Sequence, residues 1–464
     1  MDKIKTWNKI EPMNLYDALR INRHSSVAFV GSGGKTTAMF QLSGQMPPPV
    51  AITASTHLES SEIGLAEKHY FLETEGSIVG KKFPPAERIL FTGVMRDDNR
   101  THGLTSIQLE ALYHHCGNNG IPLLIEADGS RQLPLKAPAA HEPAIPKWVD
   151  TVVVVLGFSG FGKPLNDQSV HRAQIFSALS GLNPGENITI EALEKYLLNP
   201  LGGLKNIPIA AKRKILITQL ATAQQNKDAQ LLAEKIIPFY DCVILSAINK
   251  RDKNFASPGN GYADKINAVL EPTAGIILAA GGAKRYGDSK ILLNWHGKPF
   301  IRHIAELALE SGLSPVNIVL GSVIEPVLSV LEDLPVNFVI NEDWGEGQST
   351  SLRVGVLSLP NNCGSAIFLL ADQPQIKKDL LLRMRDEHNK TLAPIILPQV
   401  AGKRANPVLF DQSVFSELLG ITGDQGGRAI FSRYPIQSVI WEDETILLDV
   451  DTPEDYEKLK SIGS

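Results

Sequence analysis

Two small-residue loops, each followed by cations, carry the residues of this chain best suited to phosphate chemistry. The first is GSGGKTT, where Gly31, Gly33 and Gly34 precede Lys35, Thr36 and Thr37. The second is LAAGGAKRYGDSK, where Ala279, Ala280, Gly281 and Gly282 precede Arg285 and Lys290. Residues with little or no side chain let a backbone curl until several N–H groups point at one polyphosphate, and the cations offset its charge. The first loop is shorter than the GxxxxGK[ST] spacing requires, since Phe29 stands where the leading glycine would be. Its ordinary reading is a glycine-rich turn that caps a helix. Downstream, Leu123–Ile125 runs into EADGSRQLPLK, which puts Glu126 and Asp128 at a strand end as a Walker-B-like pair.

The second loop has its own downstream partners. Asp372, in ADQPQ, follows a buried apolar run, and Pro374 stops that strand, so its carboxylate is a magnesium-ligand candidate. Asp-x-Pro is also a common turn. EGQSTSLRVG opens a helix whose first turn holds Ser349, Thr350 and Ser351, where hydroxyls and free N–H groups suit base or phosphate contacts, or simply an N-cap. GKRANPVLF offers Arg404 and Asn406 at the entry to a strand. LLDVDTPEDYEKL places Asp449 and Asp451 at an expected strand end ahead of a helix with an acidic first turn.

Nucleotidyl transfer unites these loops. An acceptor phosphate must approach the α-phosphorus of a triphosphate, and two unit charges ~4 Å apart repel by roughly 4 kcal/mol at an effective dielectric of about 20. Several such pairs act at once. A magnesium ion held by carboxylates, with Arg285 and Lys290 on the phosphates, can offset them.

The elements that must position these groups follow from the apolar pattern. Short β-rich runs at 27–30, 50–53, 123–125, 151–156, 215–218 and 242–246 alternate with helical stretches such as 106–115 and 226–235. The second half repeats the logic, with strands expected at 275–278, 316–320, 336–340, 366–370, 395–397 and 446–449, and helices at 300–311, 349–357, 378–388 and 453–461. The alternation predicts an α/β chain of two Rossmann-like three-layer domains with mainly parallel sheets. The first is P-loop-like, over residues 1–250; a polar linker covers 251–273, and the second domain covers 274–464.

With 464 residues there is ample chain for two cores, and a net charge of −5 without a basic stripe gives no reason to expect nucleic acid. Cys116, Cys242 and Cys363 lie far apart, without CxxC spacing, and read as reduced core thiols. No apolar run approaches the ~18 residues that cross a bilayer, so the default expectation is a cytoplasmic enzyme without membrane contact. His114 and His115 read as a solvated helix end. Oligomeric state is not legible in the sequence.

Taken in order, LAAGGAKRYGDSK, LADQP, NPVLF, GDQGGR and DVDTPEDY resemble the MocA-type molybdenum cofactor cytidylyltransferases, with a MobA-like (GT-A) nucleotidyltransferase fold, over residues 274–464. The resemblance implies CTP as donor and the terminal phosphate of molybdopterin as acceptor. It further implies that Ala279–Gly282, with Arg285 and Lys290, cradle the triphosphate, that Asp372 and Asp451 hold Mg2+, and that Ser349, Arg404, Asn406 and Arg428 line the substrate site. Ala280 replaces a glycine usual in guanylyl-transferring relatives, which leans the reading towards a pyrimidine. Asn406 stands where a histidine is common, and Tyr286 where a methionine is. GSGGKTT, TASTH, EADGSRQLPLKAP and VHR resemble the YqeC family, linked to maturation of selenium-dependent molybdenum hydroxylases. This implies a nucleotide-binding accessory domain and an apo-hydroxylase as partner. The family's base-reading segment is here TQLA (218–221), without a carboxylate. Two alternatives stay open: transfer to another small phosphate acceptor such as a sugar phosphate, and a non-catalytic cofactor-insertion chaperone.

Overall fold

The computed structural model describes residues 13–74, 83–129, 131–248, 266–281 and 290–462, and it divides the chain into two compact units, Pro12–Leu270 and one that runs from Glu271 to the C-terminus. Gly282 and Arg285, with Ala283, Tyr286 and Ser289, lie outside the described residues.

The N-terminal unit is built on nine strands: β1 (Ser26–Gly31), β2 (Val50–Ala54), β3 (Lys68–Phe71), β4 (Arg88–Thr92), β5 (Leu123–Glu126), β6 (Thr151–Gly157), β7 (Lys212–Thr218), β8 (Cys242–Ser246) and β9 (Ile266–Leu270). They lie in the order β9-β8-β7-β6-β1-β5-β2-β4-β3. Every pairing is parallel except the edge, where β9 runs antiparallel to β8. β6 is buried along its whole length, as a run of four valines covered on both faces must be. Strand order reverses around β1, between β5 and β6, so the crevice at the carboxyl end of β1 is where a ligand is expected. The first loop lies there, ahead of helix α1 (Lys35–Gln45).

The segment 251–273 is not all linker. Ile266–Leu270 hydrogen-bonds to β8, with Val269 and Leu270 buried, and so completes the first sheet. A buried sheet edge would otherwise leave its N–H and C=O groups unpaired.

Among the described residues the main sheet of the C-terminal unit has eight strands: β10 (Thr273–Ala279), β11 (Val316–Leu320), β12 (Asn337–Ile340), β13 (Ser365–Leu370), β14 (Ile395–Val400), β15 (Lys403–Arg404), β16 (Val408–Asp411) and β17 (Ile436–Ile440). The order is β12-β11-β10-β13-β16-β14-β15, with β17 on β14. β12, β11, β10 and β13 are mutually parallel, whereas β16 runs antiparallel to both β13 and β14. Val408 pairs with Phe368, so the entry to β16 lies at the same sheet edge as the exit from β13. That register puts the 402–407 segment at the edge from which Asp372 emerges.

Alternate residues of β10 feed two apolar layers. Ile277 and Ala279 pack with Ile301, Ile304 and Leu380. Ile276 and Ala280 pack with Val319, Leu352 and Phe410 on the other face. Each fully buried aliphatic side chain contributes about 2 kcal/mol, enough to hold the strand tip and its loop in one place.

Ile446–Asp449 is not a strand. Glu444–Leu447 forms a 3-10 turn, and the segment after it is tied down by side chains rather than by a ladder. The three cysteines are buried and form no disulfide. Among the described residues no helix is long and apolar enough to cross a membrane.

Candidate active site

At the C-terminal sheet edge a lysine holds two carboxylates together. Lys290 Nζ lies 2.5 Å from Asp372 Oδ2 and 2.9 Å from Asp451 Oδ1. Asp372 comes from the tip of β13 and Asp451 from the cap of helix α2 (Pro453–Ile462). Burial alone would lower the Lys290 pKa, but Asp372 and Asp451 outweigh it and raise it. Beside them, partial desolvation lifts the pKa of Asp449; the Gln373 amide opposes this, and the negative Asp372 and Asp451 reinforce it.

The backbone that carries Asp449 and Asp451 is fixed by the loop that carries Asp372. Gln373 Nε2 donates to Asp449 Oδ1 at 2.6 Å, and Gln375 Nε2 to Leu448 O at 2.7 Å and Thr445 O at 3.2 Å. Both glutamines are buried, and each keeps a side-chain oxygen without a hydrogen-bond partner. Sequence reasoning passed over them. The available signal was the alternation in DQPQ, which puts both amides on the same side of the turn. Thr452 and Asp455 cap the helix reciprocally: Asp455 N–H donates to Thr452 Oγ1, and the Thr452 backbone N–H to Asp455 Oδ2. Asp451 is thereby left to face Lys290.

Among the described residues no three histidine, cysteine or acidic groups converge as a ready metal cage. A pair of carboxylates bridged by an ammonium is what remains. That donor set fits Mg2+, which takes one or two protein carboxylates and completes its shell with water and substrate phosphate oxygens.

The other expected contacts divide. Ala279 and Ala280 are buried and Gly281 is exposed at the tip of β10. The Ala280 methyl belongs to the apolar layer with Val319 and Leu352, so the inference that it narrows a base pocket does not follow from its position. Ser349, Thr350 and Ser351 are buried rather than presented. Ser349 N–H donates to Gly423 O at 3.3 Å, and Asn341 Nδ2 donates to both Thr350 Oγ1 and Ser351 Oγ at 2.9 Å. The Thr350 and Ser351 hydroxyls are therefore engaged by Asn341 rather than free, while the Ser349 N–H and the Gln348 N–H, which meets Asp424 Oδ1, tie the helix start Gln348–Leu357 to the GDQGGR segment. Arg404 and Arg428 are exposed, and the Arg404 guanidinium lies 5.8 Å from the Phe431 ring centroid. Asn406 is half-buried at the entry to β16.

The N-terminal loop is more closed. Lys35 is 3% exposed, and its ammonium donates to Gly31 O at 2.8 Å while lying 3.1 Å from Asp128 Oδ1 and 3.7 Å from Glu126 Oε1. Burial would lower the Lys35 pKa, but Asp128 and Glu126 reverse the shift. Burial raises the Glu126 pKa against the pull of Lys35. Thr36 Oγ1 donates to Glu126 Oε2 at 2.7 Å.

Part of the expected phosphate nest is already used. Gly31 N–H donates to Asp128 Oδ2 and Ser32 N–H to Val155 O. The unpaired donors of the helix start, Lys35, Thr36 and Thr37, remain for an anion. The glycines are demanded by close approach: a Cβ on Gly31 (φ +91°) would meet Val155 O at 2.4 Å, and one on Gly33 (φ +89°) the Gly157 Cα at 2.3 Å. Thr218 and Gln219 of TQLA do not face a base. Both donate to Gly33 O, at 2.6 and 2.9 Å, and so pin the loop. His114 is exposed, 4.0 Å from Glu110, with no metal cluster among the described residues.

Comparison with known proteins assigns the two units separately. Residues 27–174 match the model of the YqeC protein family, and residues 275–439 match that of the MobA-like NTP transferase domain. The second half is thus a nucleotidyltransferase domain, and the chain is an enzyme of that class. The uncharacterized protein YqeC of Escherichia coli is 29% identical over 208 residues, covering 44% of this chain and 78% of its own. Nicotine blue oxidoreductase of Paenarthrobacter nicotinovorans is 28% identical over 200 residues, 41% of this chain and 97% of that protein. A probable molybdenum cofactor guanylyltransferase of Bacillus cereus is 29% identical over 126 residues, 26% of this chain and 62% of its own. Among solved structures, Rv0371c of Mycobacterium tuberculosis aligns with a TM-score of 0.38 at 26% identity, over 41% of this chain and 98% of that one.

Proposed function

We propose that the C-terminal unit transfers CMP from CTP to the terminal phosphate of molybdopterin, giving the cytosine dinucleotide cofactor and pyrophosphate. The N-terminal unit then serves as a nucleotide-binding accessory domain for maturation of a molybdenum hydroxylase. The observation that carries the reading is Lys290 clamped between Asp372 and Asp451 at the sheet edge shared with Ala279, Gly281 and Asn406.

In the reaction an acceptor phosphate oxygen bonds to the α-phosphorus as the α–β bridging P–O bond breaks, and the electron pair leaves with pyrophosphate. Asp372 and Asp451 would hold Mg2+, which neutralises the charge that builds on the α-phosphate oxygens. Lys290, displaced from the carboxylates, turns to the triphosphate. Gln373 and Gln375 keep Asp449 and Asp451 at a fixed distance from Asp372, so the chemistry acts on a preorganised edge. Molybdopterin as acceptor is supported by the relative named as a probable molybdenum cofactor guanylyltransferase. Cytidine rests on the motif set LADQP, NPVLF and DVDTPEDY, since the Ala280 methyl is committed to the core.

A second reading, transfer to another small phosphate acceptor, is favoured by Asn406, which hydrogen-bonds but exchanges no proton. Incubation with molybdopterin and each NTP in Mg2+ separates them. The expected product is the cytosine dinucleotide by mass spectrometry; pyrophosphate release with ATP or UTP alone, and none with CTP, contradicts the proposal.

A further inference from the structure

Beside the first loop, and sharing Gly31 and Asp128 with it, a cleft opens. Val30, Val154, Pro138 and Pro143 form its apolar wall, and Asp128, Lys136, Tyr196 and Lys205 its polar one. Its carboxylates are ion-paired, though Asp128 Oδ1 has no hydrogen-bond partner. Asp128 Oδ2 receives Gly31 N–H at 3.0 Å and Lys136 Nζ at 2.8 Å, while Oδ1 faces Lys35. Glu142, behind Lys136, takes Lys136 at 2.9 Å and both terminal nitrogens of Arg172 at 2.8 and 3.2 Å.

Its donors are not spent. Tyr196 is 5% exposed and lines the cleft, yet among the described residues its hydroxyl has no hydrogen-bond partner. A buried phenol normally finds one. Lys205 gives two of its three N–H groups to Ala139 O and Ala140 O, at 2.6 and 3.2 Å, and keeps one. The ionic ladder around the cleft sets Lys35, Lys136, Arg172 and Lys205 against Glu126, Asp128 and Glu142, an excess of one positive charge. Unused donors, ion-paired carboxylates and a single uncompensated cation fit a ligand that accepts hydrogen bonds and carries one negative charge.

We infer that this cleft is a second ligand site of the N-terminal unit, which takes a small monoanion, a carboxylate or phosphate group, on the Tyr196 hydroxyl and the free Lys205 N–H. The ligand would lie one side chain from the nucleotide loop, with Asp128 between them, as a co-substrate beside a nucleotide must.

The test uses the full chain carrying 13Cζ-tyrosine, with the Tyr196 resonance assigned by its loss in Tyr196→Phe. Acetate and inorganic phosphate are titrated separately against a chloride control at matched ionic strength. Saturable movement of the Tyr196 resonance with either is expected, and the stronger of the two names the group. By calorimetry, Tyr196→Phe and Lys205→Ala should each weaken binding about tenfold. Tyr196→Phe removes only a hydroxyl without a protein partner, so the fold is kept even if Lys205→Ala unfolds. A resonance that follows chloride alone, or a Tyr196→Phe protein that binds as tightly as the parent, overturns the inference. Neither readout depends on CMP transfer, so the two readings fail separately.

Discussion

Both units set a lysine from a small-residue loop against two carboxylates from elsewhere, but one cluster is sealed and the other is open. Lys35 is 3% exposed, between buried Asp128 and Glu126, and the ladder continues through Lys136 to Glu142 and Arg172. Lys290 and Asp372 have side chains 22% and 21% exposed, and Asp451 56%. A buried ionic ladder holds itself together strongly and yields only if a ligand replaces each partner. An exposed pair contributes little to stability, so a metal and a triphosphate can take it apart. The difference fits the proposal that puts nucleotidyl transfer at the C-terminal edge and nucleotide binding at the N-terminal loop.

The largest effect should follow from breaking the sealed cluster. Lys35→Met leaves Glu126 and Asp128 buried without their cation and should cost about 3–5 kcal/mol in urea unfolding of the N-terminal unit. The matching Lys290→Met should cost no more than about 1 kcal/mol. Equal losses would remove the contrast.

Next in size is Asp372→Asn. It should reduce kcat/KM for pyrophosphate release about 10²–10³-fold with unfolding unchanged, whereas a purely structural Asp372 would lose stability along with rate.

The ladder should also show in pH dependence. Burial alone would raise the Glu142 pKa, but Lys136 and Arg172 hold it down to about 2. A depressed carboxylate stabilises the fold above its unfolded pKa of about 4.3, and that stability is lost as pH falls through about 2. Between those values the parent should lose about 2 kcal/mol that Glu142→Gln does not, measured by denaturant titration across that range. Coincident pH slopes for the two proteins would mean that the ladder stores no such energy.

The smallest effect is expected at Ala280. Removing a methyl from the apolar layer should cost about 1 kcal/mol, while the CTP-to-GTP preference stays within about threefold. A larger change in preference would return Ala280 to the base pocket.

What could be read in the chain, and what could not, follows from where order is encoded. β1, β5, β6 and β8 are apolar runs buried on both faces, and the loops after β1 and β10 announce themselves by residue size. β3 was not legible, because Lys68–Phe71 is a half-exposed edge strand with two polar residues. β9 was hidden for a similar reason, with only Val269 and Leu270 buried. Ile446–Asp449 looked like a strand because it is short and apolar, yet it has no neighbouring ladder and hangs from Gln373 and Gln375 instead. Lys290 and Asp451 are 161 residues apart. Their types pointed to phosphate and metal, but their pairing is a product of the fold. Likewise the hydroxyls at 349–351 read as ligands, because burial against Asn341 is a tertiary fact.

The division of labour is tested most directly by pyrophosphate release from CTP with molybdopterin and Mg2+, comparing Lys290→Met with Lys35→Met at a temperature where both are folded. Release should collapse in Lys290→Met and persist in Lys35→Met. Persistence in Lys290→Met with collapse in Lys35→Met would contradict the account.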